Sequence, residues 1–242
     1  MDECLQFREY NAPRGRRFGE KGRDPYDGLR PWSAITHGAG AVLAVVGTVL
    51  LILRAALWGL GPWCLSAFSI YGASMIVLYT ASTLYHCVYT KVGGRLVLRK
   101  WDHCSIYLLI AGTYTPVCLV ALRQAGAWGW ALFGVIWGLA LAGIVMTLFW
   151  VNAPRWMTSG IYLFMGWLAI LAIYPLSQAL GWQGVTWLLA GGVLYSIGGV
   201  LYALKWPGRD NARFGCHEIF HLFILAGSVC HFFLIFRVLT RI

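Results

Sequence analysis

His217 and His221 lie four residues apart. At helical spacing that is one turn, so both imidazoles leave the same face with Cβ atoms roughly 6 Å apart, which suits two ligands of a single metal ion. A third imidazole, His86, ends a different apolar stretch and arrives at the same depth. Three neutral nitrogens plus a water form the arrangement of a catalytic zinc with one open position, whereas a hard cation would call for more carboxylates than this region owns. A set of histidines that only hydrogen-bond one another is the plainer alternative; zinc is the preferred reading.

Two more residues could serve such a site. Ser82 lies one turn before His86 on the same face and could hold the imidazole or a metal-bound water; a helix serine bonded back to its own carbonyl ladder is the alternative. Asp102 is the sole carboxylate at the predicted start of the third span, where it could cap the helix or accept a proton from water. His103 follows it directly and points about 100° away, which makes it a weaker ligand. Cys87 beside His86 and Cys216 beside His217 are set aside on the same ground. His231 lies about 15 Å further along the helix than His221, too far to share its metal, and is expected to be packed or hydrogen-bonded. His37, with Gly38 and Gly40, reads first as a close-packing and hydrogen-bonding position.

His217-Glu218-Ile219-Phe220-His221 also fits H-E-x-x-H, in which the glutamate is the base of zinc proteases. An intramembrane protease would be expected to take another ligand from a carboxylate deep in a second helix, and no predicted span has one. That reading rests on the five residues alone.

These side chains must be positioned by helices in a bilayer. The 242 residues are 59% hydrophobic and only 12% charged, too few polar groups to cover a soluble globule. Stretches of about 20 apolar residues predict an all-α bundle of seven transmembrane helices. Their approximate bounds are Ser33 to Leu57, Pro62 to Tyr85, Cys104 to Leu122, Trp128 to Val151, Met157 to Leu176, Val185 to Leu204 and Cys216 to Phe236. Residues 1–32, dense in both charge signs and without an apolar core, are expected to form a cytoplasmic tail ahead of one membrane domain, 33–242, with no cleavable signal.

With the N-terminus inside, the inner segments hold 15 of the 19 Lys and Arg residues: seven in the tail, Lys91, Arg95, Arg99 and Lys100 in one loop, Arg155 in the next, and Lys205, Arg209 and Arg213 in the last. The outer side keeps Arg54, Arg123, Arg237 and Arg241, so the positive-inside rule favours N-in, C-out. The net charge of +10 is then a topology signal and a contact with anionic lipid, not a nucleic-acid footprint. Seven cysteines, several near the reducing inner surface, imply no disulfide framework. Gly192, Ser196 and Gly199 form a small-residue stripe read as tight helix packing. The midplane has no charged groups, which counts against a pore or an ion-coupled transporter. The seventh span has no Lys for a Schiff base, against a rhodopsin-like pigment.

Three blocks in this order carry a family pattern: Ser82-Thr83-Leu84-Tyr85-His86, then Trp101 through Pro116 (WDHCSIYLLIAGTYTP), then His217-Glu218-Ile219-Phe220-His221-Leu222-Phe223 with His231-Phe232. Together they resemble the hemolysin III family, the bacterial branch of the progestin and adiponectin receptor group, from about Ile35 to the end. The resemblance implies a zinc site of His86, His217 and His221, with Asp102 and Ser82 as partners of the zinc-bound water, in a seven-helix N-in bundle. Related proteins, including the alkaline ceramidases, are considered zinc-dependent membrane hydrolases of lipid amides. Cys216 departs from a more usual serine, and receptor-type members have Gln where this chain has Glu218.

The expectation is a multi-pass protein of a bacterial inner membrane with zinc at the cytoplasmic end. It is expected to hydrolyse a lipid amide, with membrane lipids or a fatty acid as partners in the bundle and Asp102 moving the proton. A membrane sensor or cytolysin with structural zinc is the non-enzymatic alternative, and an intramembrane metalloprotease the third.

Overall fold

A computed structural model describes residues 29–208, 211 and 214–242; the charged tail expected at 1–32 falls almost wholly outside the described residues. All regular structure among the described residues is helical. The elements are α1 (Pro31–Leu57), α2 (Gly61–Cys87), α3 (Val92–Pro116), α4 (Trp128–Phe149), α5 (Arg155–Trp167), α6 (Ile173–Leu204) and α7 (Cys216–Arg237). In lipid every backbone N–H and C=O must be satisfied within the segment, and a helix does this without an edge. Prolines mark starts: Pro31 and Pro62 stand in the first turns of α1 and α2, where the missing N–H costs nothing. Pro116 ends the regular ladder of α3, which continues as a π-helical turn, Val117–Ala121.

The helices pack largely in chain order, α1 on α2, α2 on α3 and α3 on α4, while α7 packs on both α6 and α1 and so closes the bundle. α3 is the central post: 72% of its apolar window is buried, against 28% for α4. The outer faces are apolar and exposed, for example Val42, Val46, Val49 and Leu53 on α1 and Val135, Leu141, Val145 and Leu148 on α4, a surface that only lipid would cover at low cost. The stripe of Gly192, Ser196 and Gly199 lies against α5, where the Trp167 indole N–H donates to Ser196 Oγ at 2.8 Å. Close packing is its role, as its spacing implies.

Among the described residues six helical segments are long and apolar enough to cross a membrane, and the fifth and sixth predicted spans both fall in one segment of 50 residues, Arg155–Leu204. Its ladder is interrupted at Gly181, whose φ of 61° and ψ of −178° only glycine adopts without strain. The third helix also begins at Val92 and not at Cys104. The basic segment before Cys104 is too polar to register as a span, yet Lys91, Arg99 and Lys100 can keep their charged heads at the membrane surface while the helix continues. Asp102 therefore lies well inside α3, and the N-cap role considered for it is excluded.

Candidate metal centre

The start of α1 and the start of α7 meet through a buried charge pair. Glu218 stands at the third position of α7, and its Oε2 accepts the Gly215 N–H at 2.9 Å, half of a capping box. The Arg30 guanidinium, just before α1, donates to both carboxylate oxygens at 3.0 and 3.1 Å. Ser33 Oγ–H adds a bond of 3.1 Å to Oε1. Arg30 and Glu218 are 5% and 0% exposed, so this pair lacks solvent screening and each partner depends on the other. The same arginine donates its backbone N–H to His86 O at 3.0 Å. From α3, buried Arg95 donates to the carbonyls of Tyr85 and Val88 at the C-terminal end of α2, with its cation over the Tyr85 ring. His86 is thus held by α1 and α3 as well as by its own helix.

Between these clamps His86, His217 and His221, all buried, bring their ligand nitrogens within 4.8 Å of one another. His86 Nε2 and His217 Nε2 are 3.1 Å apart. Two ligands at about 2.0–2.1 Å from a tetrahedral zinc lie roughly 3.3 Å from each other, so the pair is spaced for one ion. The third ligand is orientated by α1: His221 Nδ1 lies 3.3 Å from the Ser33 carbonyl, which can only accept. Nδ1 therefore carries the proton, and Nε2 keeps its lone pair for a metal. The three histidines together form a group that could hold a metal ion.

His37 stacks on His221 with ring centroids 3.5 Å apart and planes within 9°. Imidazole lone pairs lie in the ring plane, so two parallel stacked rings cannot both direct one at the same ion. His37 is therefore a packing neighbour of a ligand, with its edge contact to Tyr79 on the other side. The hydrogen-bonding role considered for it is absent, since neither ring nitrogen has a partner among the described residues.

Ser82 and Asp102 line the same cavity as His217 and His221, a space of about 170 Å³ continuing into the bundle along α3, α5, α6 and α7. Both are buried, at 1% and 8% exposure. Thr83 bonds back to Tyr79 O at 2.6 Å, whereas Ser82 makes no such bond, so its hydroxyl is left for the cavity. His103 lines the cavity too, and its carbonyl accepts from the Tyr162 hydroxyl at 3.4 Å; it is not in the three-histidine group. Cys87 and Cys216 are likewise outside that group, and the six described cysteines are free thiols. His231 sits far from the group, stacked on Tyr195.

Sequence reasoning missed Arg30, Ser33 and Arg95. Both arginines were counted only as topology charges. The legible signal was Glu218 three residues after Gly215, a capping-box spacing whose buried carboxylate would need a cation. With both oxygens of Glu218 engaged, the H-E-x-x-H reading loses its base.

A family model described as Haemolysin-III related matches residues 31–232. "Hemolysin-3" of Bacillus cereus is 43% identical over 201 residues, covering 83% of this chain and 87% of that protein. "Hemolysin-3 homolog" of Bacillus subtilis (strain 168) is 42% identical over 201 residues, covering 83% and 90%. The human "Monocyte to macrophage differentiation factor" is 28% identical over 215 residues, covering 85% and 82%. With a family match over most of its length and six apolar helical segments, the chain is a multi-pass cell-membrane protein and belongs to the Haemolysin-III related family.

Proposed function

We propose that this protein is a zinc-dependent hydrolase of lipid amides, ceramidase-like in reaction, with its site at the cytoplasmic end of a seven-crossing, N-in bundle. The observation that carries this reading is the convergence of three imidazoles, two of which, His217 and His221, line a cavity with Asp102 and Ser82. The crossing count is supported by length. At about 1.5 Å per residue the 50-residue segment would extend about 75 Å, more than twice the roughly 30 Å hydrocarbon core, and the interruption at Gly181 is a place to turn back. The charge asymmetry supports the orientation.

Bound zinc at His86, His217 and His221 would supply a Lewis acid for the amide carbonyl and a lowered pKa for water. The chain's own residues account for the rest. The Ser33 carbonyl fixes the His221 tautomer. The Asp102 carboxylate takes the proton of the attacking water and returns it to the departing amine nitrogen. Ser82 Oγ, not bonded to its own helix, orientates the water. Leu78, Ile106, Ile110 and Ile224 line the cavity beyond and would hold an acyl chain away from water. Arg99 and Arg155 at the same cavity suit the anionic headgroup layer of the inner leaflet.

A second reading keeps zinc as a clamp tying α2, α3 and α7 together in a non-enzymatic sensor or cytolysin; the hemolysin names of the Bacillus relatives favour it. Metal analysis by plasma mass spectrometry comes first, on wild type beside the His217→Ala, His221→Ala variant. About one zinc per chain, lost in the variant, supports the site, and no metal in wild type sinks both readings. Asp102→Asn then separates them. The hydrolase reading requires retained zinc with lost turnover of a fluorescent ceramide-like amide. Wild type without turnover on lipid amides, with stability that falls on zinc removal, favours the clamp.

A further inference from the structure

His231 lines the same cavity as the metal centre, ten residues and about 15 Å further along α7 than His221. It is 5% exposed, and its Nδ1 is buried with no hydrogen-bond partner among the described residues. Its surroundings are shaped for an imidazole. α6 packs against the ring with Tyr195, stacked at 5.4 Å, and one turn earlier with Gly191, where a Cβ would come within 2.5 Å of His231 Nε2. The hydroxyls beside it satisfy one another: Tyr79 donates to Ser228 Oγ at 2.6 Å, and Tyr195 and Ser228 share a bond of 2.9 Å. His231 is left out of that network. A buried imidazole with no partner is costly, and at bilayer depth no bulk water relieves it.

We propose that His231 is a second polar subsite, which recognises a hydroxyl borne by the acyl chain of the ligand about 15 Å from the group held at the histidine triad. The inference rests on the reading that the cavity holds a lipid chain. A hydroxyl suits either imidazole tautomer, since it donates to a bare nitrogen and accepts from a protonated one. The wall between the two ends is largely apolar, with Leu78, Ile106 and Ile224, so a plain chain fits the path but leaves His231 unsatisfied.

The test is equilibrium binding to the full chain in lipid nanodiscs, with tritiated stearic acid displaced by unlabelled stearic acid or by a hydroxystearic acid whose hydroxyl lies about 15 Å from the carboxylate. Wild type is expected to bind the hydroxy acid about tenfold more tightly, the worth of one buried hydrogen bond. His231→Phe should lose that preference while still binding stearic acid, and His231→Asn should recover part of it. Equal affinities in wild type overturn the subsite whether or not the variants fold, as does a preference that survives His231→Phe. Failure of wild type to bind either acid overturns the lipid-cavity reading as well, so the two failures are distinguishable.

Discussion

The two buried histidine groups of this bundle are built differently. Around His86, His217 and His221 three elements converge: Arg30 just before α1 and Ser33 within it are tied to α7 by the Glu218 carboxylate, and α3 contributes Arg95, which holds the end of α2. Around His231 there is a close-fitting wall on α6, Gly191 and, one turn on, Tyr195, and its Nδ1 has no hydrogen-bond partner among the described residues. In the first group the His221 tautomer is set by the Ser33 carbonyl, as a metal ligand requires, while His217 Nδ1 has no hydrogen-bond partner among the described residues. The second has only its position set, by sterics. The contrast teaches that burial alone does not mark a preorganised site; bonds made by the neighbours of the ligands do.

Each half of this comparison can be broken. The largest effect belongs to the charge pair. Glu218→Ala leaves Arg30 buried without its carboxylate and should cost about 3–5 kcal/mol of stability, read by denaturant unfolding in detergent. Arg30→Met with Glu218→Leu should recover most of that loss, because two apolar groups of similar volume need no partner. If the double variant is as unstable as the single one, the pair is not the tie described.

Next is Gly191→Ala, which forces a methyl group against His231 and should destabilise by about 1–3 kcal/mol through overpacking. In a His231→Ala background the same substitution should be close to neutral, and a cost that persists there would show that the wall is set by something other than the imidazole.

A loss of roughly 10–100-fold in zinc affinity is expected for Arg95→Met, which frees the carbonyl end of α2 without removing a ligand; competition with a chelating dye measures it. The smallest structural effect is expected from Asp102→Asn, which should leave metal content and melting temperature close to wild type. A large fall in stability would make Asp102 a structural residue and remove its proposed part in proton transfer.

Much of the metal centre was legible because its pattern is local. The four-residue spacing of His217 and His221 and the place of His86 at the end of an apolar run need only helical periodicity. The same locality misled at Glu218, where five residues spell a protease motif but the carboxylate answers to Arg30, 188 positions away. Asp102 looked like a helix start because hydropathy registers where a helix enters lipid, not where its backbone begins. The run from Met157 to Leu204 divides into two spans by hydropathy and appears as one helical segment interrupted at Gly181, since apolar content does not report backbone continuity.

By itself the sequence determined the solvent, the helical class and the histidines that could hold a metal, because lipid admits few backbone solutions and helical spacing puts His217 and His221 on one face. Tertiary structure alone decided which nitrogen of His221 meets the Ser33 carbonyl, that His37 stacks on His221, and that Arg30 and Arg95 are buried ties. Those outcomes depend on distances of about 3 Å between helices remote in the chain, and no periodicity within one helix encodes them.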